Sequence, residues 1–195
     1  MPHFSKDSLY HLGKQLGLAD ATVNTYISRF LGHKEIIQLK RGLYVTADFF
    51  SKNSRDASYA FYLANIIRTP SYVSSWSALQ FYNLTTEAIH GVTSVTPKVT
   101  RTYMSKAGNF SYQSLKKDLF SDFSLIKGKA FGFFIASPAK ALFDLLYFKT
   151  HQFRSVHPTK GVKVLVEELR IDIDEMDKKE RSRFYDSVKR YIDNE

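Results

Sequence analysis

Between Lys6 and Thr46 the chain carries two apolar helical patterns separated by a glycine turn, then two β-prone runs separated by a second glycine. Leu9, Leu12 and Leu16 space a short helix, and Gly17-Leu18 makes a tight turn after it. Beyond the turn, Val23, Tyr26, Ile27, Phe30 and Leu31 recur at i, i+3, i+4, i+7 and i+8. At about 100° per residue these form one continuous apolar arc, which predicts a helix over 21–31 with its apolar side packed inward. Asp20 stands where a cap would accept hydrogen bonds from the free amides of that helix. Residues 35–46 (EIIQLKRGLYVT) then predict a hairpin, because Gly42 tolerates the positive φ of a tight turn.

The opposite arc of helix 21–31 carries Ala21, Thr22, Asn24, Thr25, Ser28 and Arg29. These side chains are short, form hydrogen bonds and include one cation, a combination suited to base edges in a major groove. Helix, tight turn and capped helix make a helix-turn-helix whose second helix is the reader. Lys40 and Arg41 at the tip of the hairpin would sit against phosphate, as a wing does. The expected DNA-binding set is therefore Thr22, Asn24, Thr25, Ser28, Arg29, Lys40 and Arg41, on a winged helix-turn-helix domain spanning 1–50. Winged domains usually carry a further helix before this pair, and little chain precedes Lys6. The face it would cover is expected to lie under a helix at 56–67 or under a second copy of the chain.

Charge supports an anionic partner. The chain has 28 Lys+Arg against 19 Asp+Glu, a net charge of +9. The excess lies in the middle: residues 1–50 carry net +2, 51–130 carry net +6 and 131–195 carry net +1. Zero cysteine excludes thiol catalysis, cysteine-based zinc sites and disulfide frameworks. The first residues lack the apolar stretch of a signal peptide. Lys140, Asp144 and Pro138 spoil 130–148 as a membrane span, so a cytoplasmic location is expected.

Residues 51–195 read as a mixed α/β unit, and the whole chain as α+β. A boundary is expected at 48–55, where small and polar residues interrupt the pattern. A helix follows over 56–67, closed by Thr69-Pro70. Short strands are expected at 72–73, 92–99, 110–112 and 131–135, with a helix at 75–82 and turns at Gly108-Asn109 and Lys127-Gly128. Ser137 as cap and Pro138 at the first helical position start a helix over 139–148 that is apolar nearly all round. Val162, Leu165, Val166 and Leu169 mark one closing amphipathic helix. Phe184, Tyr185, Val188, Tyr191 and Ile192 mark another.

Several phrases in this order (GLADATVNTYISRF, LKRGLYV, TPSYVSSWSALQFYNL, VTSVTPK, GNFSYQSL and IASPAKALFDLLY) resemble the AbiEi-type antitoxins of type IV, abortive-infection toxin–antitoxin systems. The likeness runs from Leu12 to Tyr147. It implies a winged helix-turn-helix domain joined to an α/β antitoxin domain, and autorepression through repeats upstream of the chain's own operon. It also implies neutralisation of a nucleotidyltransferase-like toxin without a stable complex, and a homodimer on DNA fits the same picture. Under this resemblance the reading helix carries Thr22, Asn24, Thr25, Ser28 and Arg29, and the wing carries Lys40 and Arg41.

Other constellations point to structure more than to chemistry. Ser137 and Lys140 have the Ser-x-x-Lys spacing of some acyl enzymes, but no partner motif follows, so an N-cap beside a snorkelling lysine is expected. The six histidines show no metal-binding spacing. The carboxylates Asp172, Asp174, Glu175 and Asp177 are expected to cap the last helix. No enzyme, cofactor or metal is expected. In the basic middle, Lys98, Arg101, Lys106, Lys116, Lys117, Lys127 and Lys129 recur beside Tyr103, Phe110 and Tyr112. Cations interleaved with aromatics suit single-stranded nucleic acid, while core packing explains the same aromatics. The alternative to a DNA reader is thus a protein- or RNA-binding module using this middle segment.

Overall fold

The computed structural model describes residues 1–128 and 130–193. Lys129 lies outside them. The class is α+β, with a three-stranded and a six-stranded sheet.

The chain opens with β1 (Phe4–Ser5), α1 (Lys6–Gln15), α2 (Asp20–Gly32), β2 (Ile36–Lys40) and β3 (Leu43–Thr46). Strand β3 runs antiparallel to both β1 and β2, giving the order β1-β3-β2. Ser5 starts α1 with a reciprocal capping box, its hydroxyl accepting from Ser8 N while the Ser8 hydroxyl accepts from Ser5 N. Asp20 does not cap α2. Ala19 holds the extended cap position, and Asp20 is the first helical residue, its carboxylate at the positive end of the helix.

The stretch 48–55, expected as a boundary, is largely a third helix, α3 (Ala47–Asn53), capped by Thr46 Oγ1 accepting from Phe49 N. Its two phenylalanines explain the difference, since Phe49 and Phe50 both pack on the ring of Tyr59. Helix α4 (Ala57–Ile67) follows, with Asp56 as its cap.

The larger sheet comprises β4 (Tyr72–Val73), β5 (Val92–Thr96), β6 (Arg101–Ser105), β7 (Gly108–Ser114), β8 (Phe123–Lys127) and β9 (Gly132–Ala136), in the order β6-β7-β5-β4-β9-β8. The β5/β7 and β4/β9 pairs are parallel; the others are antiparallel. Strands β6 and β8 were not expected. They are the two edges, and edge strands lack the alternating apolar signal of buried ones. The turn joining β6 to β7 lies at 106–107, and Gly108 opens β7 with φ of +125°.

Helices cover both faces of this sheet. Tyr112 on β7 donates to Ala64 O of α4 at 2.6 Å. From the other face, Tyr72 donates to Asp144 of α6 (Pro138–Lys149). Helix α5 (Ser75–Phe81) lies beside α6, and α8 (Lys178–Asp193) packs on α6 from outside. Helix α7 (Lys160–Glu168) inserts Val162 and Val166 into the same core.

Alternation along β3 ties the beginning of the chain to the rest. Leu43 and Val45 belong to the large core, whereas Tyr44 between them belongs to a smaller one with Val23, Ile27 and Ile36. Successive strand residues point to opposite faces, so one strand serves both cores.

Candidate nucleic-acid interface

Helices α1 and α2 meet at a glycine. A Cβ added at Gly13 would stand 2.4 Å from Val23 Cγ2, closer than two carbons can approach. Gly17 then adopts φ of +68° in the turn, and Leu18 N returns to Gly13 O at 2.8 Å. A left-handed residue just past a helix end is what glycine accommodates best. The approach and the turn together set the angle at which α2 leaves α1.

Helix α2 buries Val23 and Ile27 and turns the opposite arc to solvent. Thr22, Thr25, Ser28 and Arg29 are exposed, and Thr22, Thr25 and Arg29 share one stripe at i, i+3 and i+7. The hydroxyl of Thr25 donates back to Ala21 O at 3.0 Å. Asn24 is half-buried, and its Oδ1 accepts from Tyr10 OH at 2.8 Å, pinning α2 to α1. Asn24 therefore orients the helix.

The hairpin separates its two cations. Arg41 is exposed beside Gly42, whose φ of +79° makes the turn. Lys40 instead sends its ammonium back to Ile67 O at the end of α4, at 2.6 Å. A cation there also offsets the negative end of the helix dipole.

The apolar arc expected to be buried is split. Tyr26 and Phe30 are 44% and 42% exposed, and Leu12 and Leu16 on α1 are 51% and 65% exposed. With Phe4, Leu9 and Ile36 they line an open groove of about 580 Å³. Helix α4, expected as one cover for this face, packs on the six-stranded sheet instead.

The basic middle does not form a stacking platform from the expected rings. Phe110 and Tyr112 are 1% exposed and belong to the core. Burial pushes the Tyr112 phenol well above its usual value. Tyr103 is half-buried, edge-on to Tyr112.

The Ser-x-x-Lys spacing resolves into two structural contacts. Ser137 Oγ accepts from Lys140 N as a helix cap. The Lys140 ammonium does not snorkel; it lies buried, 2.7 Å from Asp144 Oδ1. Asp144 also accepts from Ser74 Oγ and Tyr72 OH. Burial raises the Asp144 carboxyl above the ordinary carboxylate range, against the pull of Lys140 and its hydrogen bonds.

In the acidic tail, Asp177 accepts from Lys179 N at the start of α8, and Asp174 pairs with Arg181. Glu180 reaches across to accept from Ala139 N, capping α6. Among the described residues no group of three or more His, Asp or Glu could hold a metal ion, and no helix is long and apolar enough to cross a membrane.

Compared with known protein families and with curated proteins, the chain matches none.

Proposed function

We propose that this protein is a sequence-specific DNA-binding regulator whose first 46 residues act as a winged helix-turn-helix. Helix α2 enters the major groove and presents Thr22, Thr25, Ser28 and Arg29 to base edges. The hairpin is the wing, with Arg41 on backbone phosphate. Asn24 and Lys40 set the positions of these two elements through Tyr10 and Ile67.

One observation carries the reading. An exposed stripe of short polar residues with one arginine lies along a helix fixed to its neighbour by a close glycine contact. A solvated helix face in a protein of this charge would more often carry long charged side chains. Here the exposed or half-exposed positions 22, 24, 25, 28 and 29 hold three hydroxyls, an amide and a single cation, and the one carboxylate, Asp20, stands at the helix start. The resemblance to AbiEi-type antitoxins gives the regulator its setting: autorepression of its own operon, with two copies on repeated sites, and neutralisation of a nucleotidyltransferase-like toxin by the remainder of the chain.

The test is fluorescence anisotropy of the purified chain with a duplex from upstream of its own coding region and a shuffled duplex, at low and near-physiological salt. The proposal expects preference for the upstream duplex to persist as salt rises. Equal loss of both at higher salt would reduce the interaction to the net charge of the chain and refute it.

A further inference from the structure

Strand β2 lies against the edge strand β6, so the hairpin adjoins the six-stranded sheet. At this junction the chain gathers four cations. Lys40 donates to Ile67 O and Lys98 donates to Thr69 O, both at the end of α4. Between them Arg68 is 8% exposed and donates to Val99 O and Tyr103 OH. Its Nε has no hydrogen-bond partner. Arg101 lies over the ring of Tyr103, 5.4 Å from the centroid. Among the described residues, none of these four makes an ion pair with Asp or Glu.

Helix capping accounts for Lys40, and Lys98 meets the Thr69 carbonyl just past the helix end. Neither contact compensates Arg68, a buried guanidinium with no Asp or Glu paired to it among the described residues. Burying an unpaired charge is costly. An anion held at the surface offsets that cost. Arg101 supplies the surface donor, because it is exposed and its guanidinium lies over an aromatic ring. Arginine held in this way presents a fork suited to phosphate.

We propose that Lys98, Arg101 and the buried Arg68 form a second phosphate-binding shelf, which holds the DNA backbone flanking the site read by α2. The shelf lies on β6, beside the hairpin whose tip carries Arg41. It rests on the DNA-binding reading above and extends the contact to residues outside the first 46. Phosphate contacts of this type position a protein without reading sequence.

The experiment measures affinity of the full chain for the upstream and shuffled duplexes across a salt series, for the wild type, Arg101→Gln, Arg101→Lys and Lys163→Gln. Lys163 is exposed on α7 and controls for loss of one charge elsewhere. Arg101→Gln is expected to lower the slope of log affinity against log salt by about one, for both duplexes alike. Arg101→Lys should restore the slope, and Lys163→Gln should leave it at the wild-type value. Circular dichroism melting checks that each variant is folded. If the wild type prefers its duplex but Arg101→Gln behaves as Lys163→Gln does, the shelf is overturned and the DNA-binding reading stands. If the wild type shows no preference and binds neither duplex at near-physiological salt, both fall. A tighter interaction with single-stranded RNA than with duplex would also overturn the shelf.

Discussion

Gly13 of α1 faces Val23 of α2 so closely that an added methyl carbon would stand 2.4 Å from Val23 Cγ2. The contact brings the two helix backbones together and fixes how α2 is presented. Glycine in a helix interior sacrifices about 1 kcal/mol of propensity relative to alanine. Here that loss is outweighed by the overpacking a methyl would cause, about 1–3 kcal/mol.

Gly13→Ala should therefore destabilise the protein, against its helix propensity, and weaken DNA binding by tilting α2. Urea denaturation followed by circular dichroism checks the first effect. Val23→Ala opens space for the new methyl, so the double variant should recover part of the loss attributable to Gly13→Ala. Simple additivity of the two costs would mean that the close contact is not the cause.

The two hairpin cations should behave differently. Lys40→Met removes a half-buried hydrogen bond to Ile67 O and should cost about 1 kcal/mol of stability, with little change in the salt slope of DNA binding. Arg41→Ala should leave the urea midpoint unchanged and lower the slope by about one. Paired denaturation and salt-titration measurements separate the two roles, and a reversal of the pattern would reverse the assignments.

Lys140→Met should cost about 3–5 kcal/mol, because it strands the Asp144 carboxyl in the core. Replacing Lys140 and Asp144 together by Met and Leu should cost far less than the sum of the single changes, the remainder being the hydrogen bonds from Ser74 and Tyr72. A double-mutant cycle in urea measures the coupling directly, and a coupling near zero would deny the pair its role.

Acidification should loosen the N-terminal segment. His3 Nδ1 lies 2.7 Å from Tyr62 OH, and burial lowers the pKa of the ring below its ordinary 6.5. The folded chain thus takes up this proton less readily than the unfolded chain. The stabilisation is present above pH 6.5 and is lost as pH falls through the lowered value. The difference in urea midpoint between the wild type and His3→Gln should shrink from pH 7.5 to 5.5. A difference independent of pH would remove His3 from the account.

The helices and the hairpin were largely legible in the sequence because their signals are local: apolar spacing for α2, Ser137-Pro138 for α6, and Gly42 for the turn. What was not legible depends on partners distant in the chain. Lys40 reads as a wing-tip cation until α4 brings the Ile67 carbonyl to it. Lys140 reads as a snorkelling lysine, although Asp144 one turn later signals an i, i+4 pair that burial then closes. Tyr26 and Phe30 fit the apolar period of α2, but periodicity cannot show whether anything covers an apolar arc, and here they border an open groove. Arg101–Ser105 and Phe123–Lys127 become strands through pairing with β7 and β9, which neither segment announces alone.

The central claim is that the exposed face of α2 reads base sequence. Its most direct test is the ratio of affinities for the upstream and shuffled duplexes, measured for the wild type and for Arg29→Ala at the same near-physiological salt. If Arg29 contacts a base edge, the substitution should reduce that ratio by an amount equivalent to about 1–3 kcal/mol and shift which base is preferred at one position. If affinity for both duplexes falls by the same factor and the ratio holds, Arg29 meets phosphate alone. If the ratio also survives Thr22→Ala and Ser28→Ala, the α2 face is not the reader.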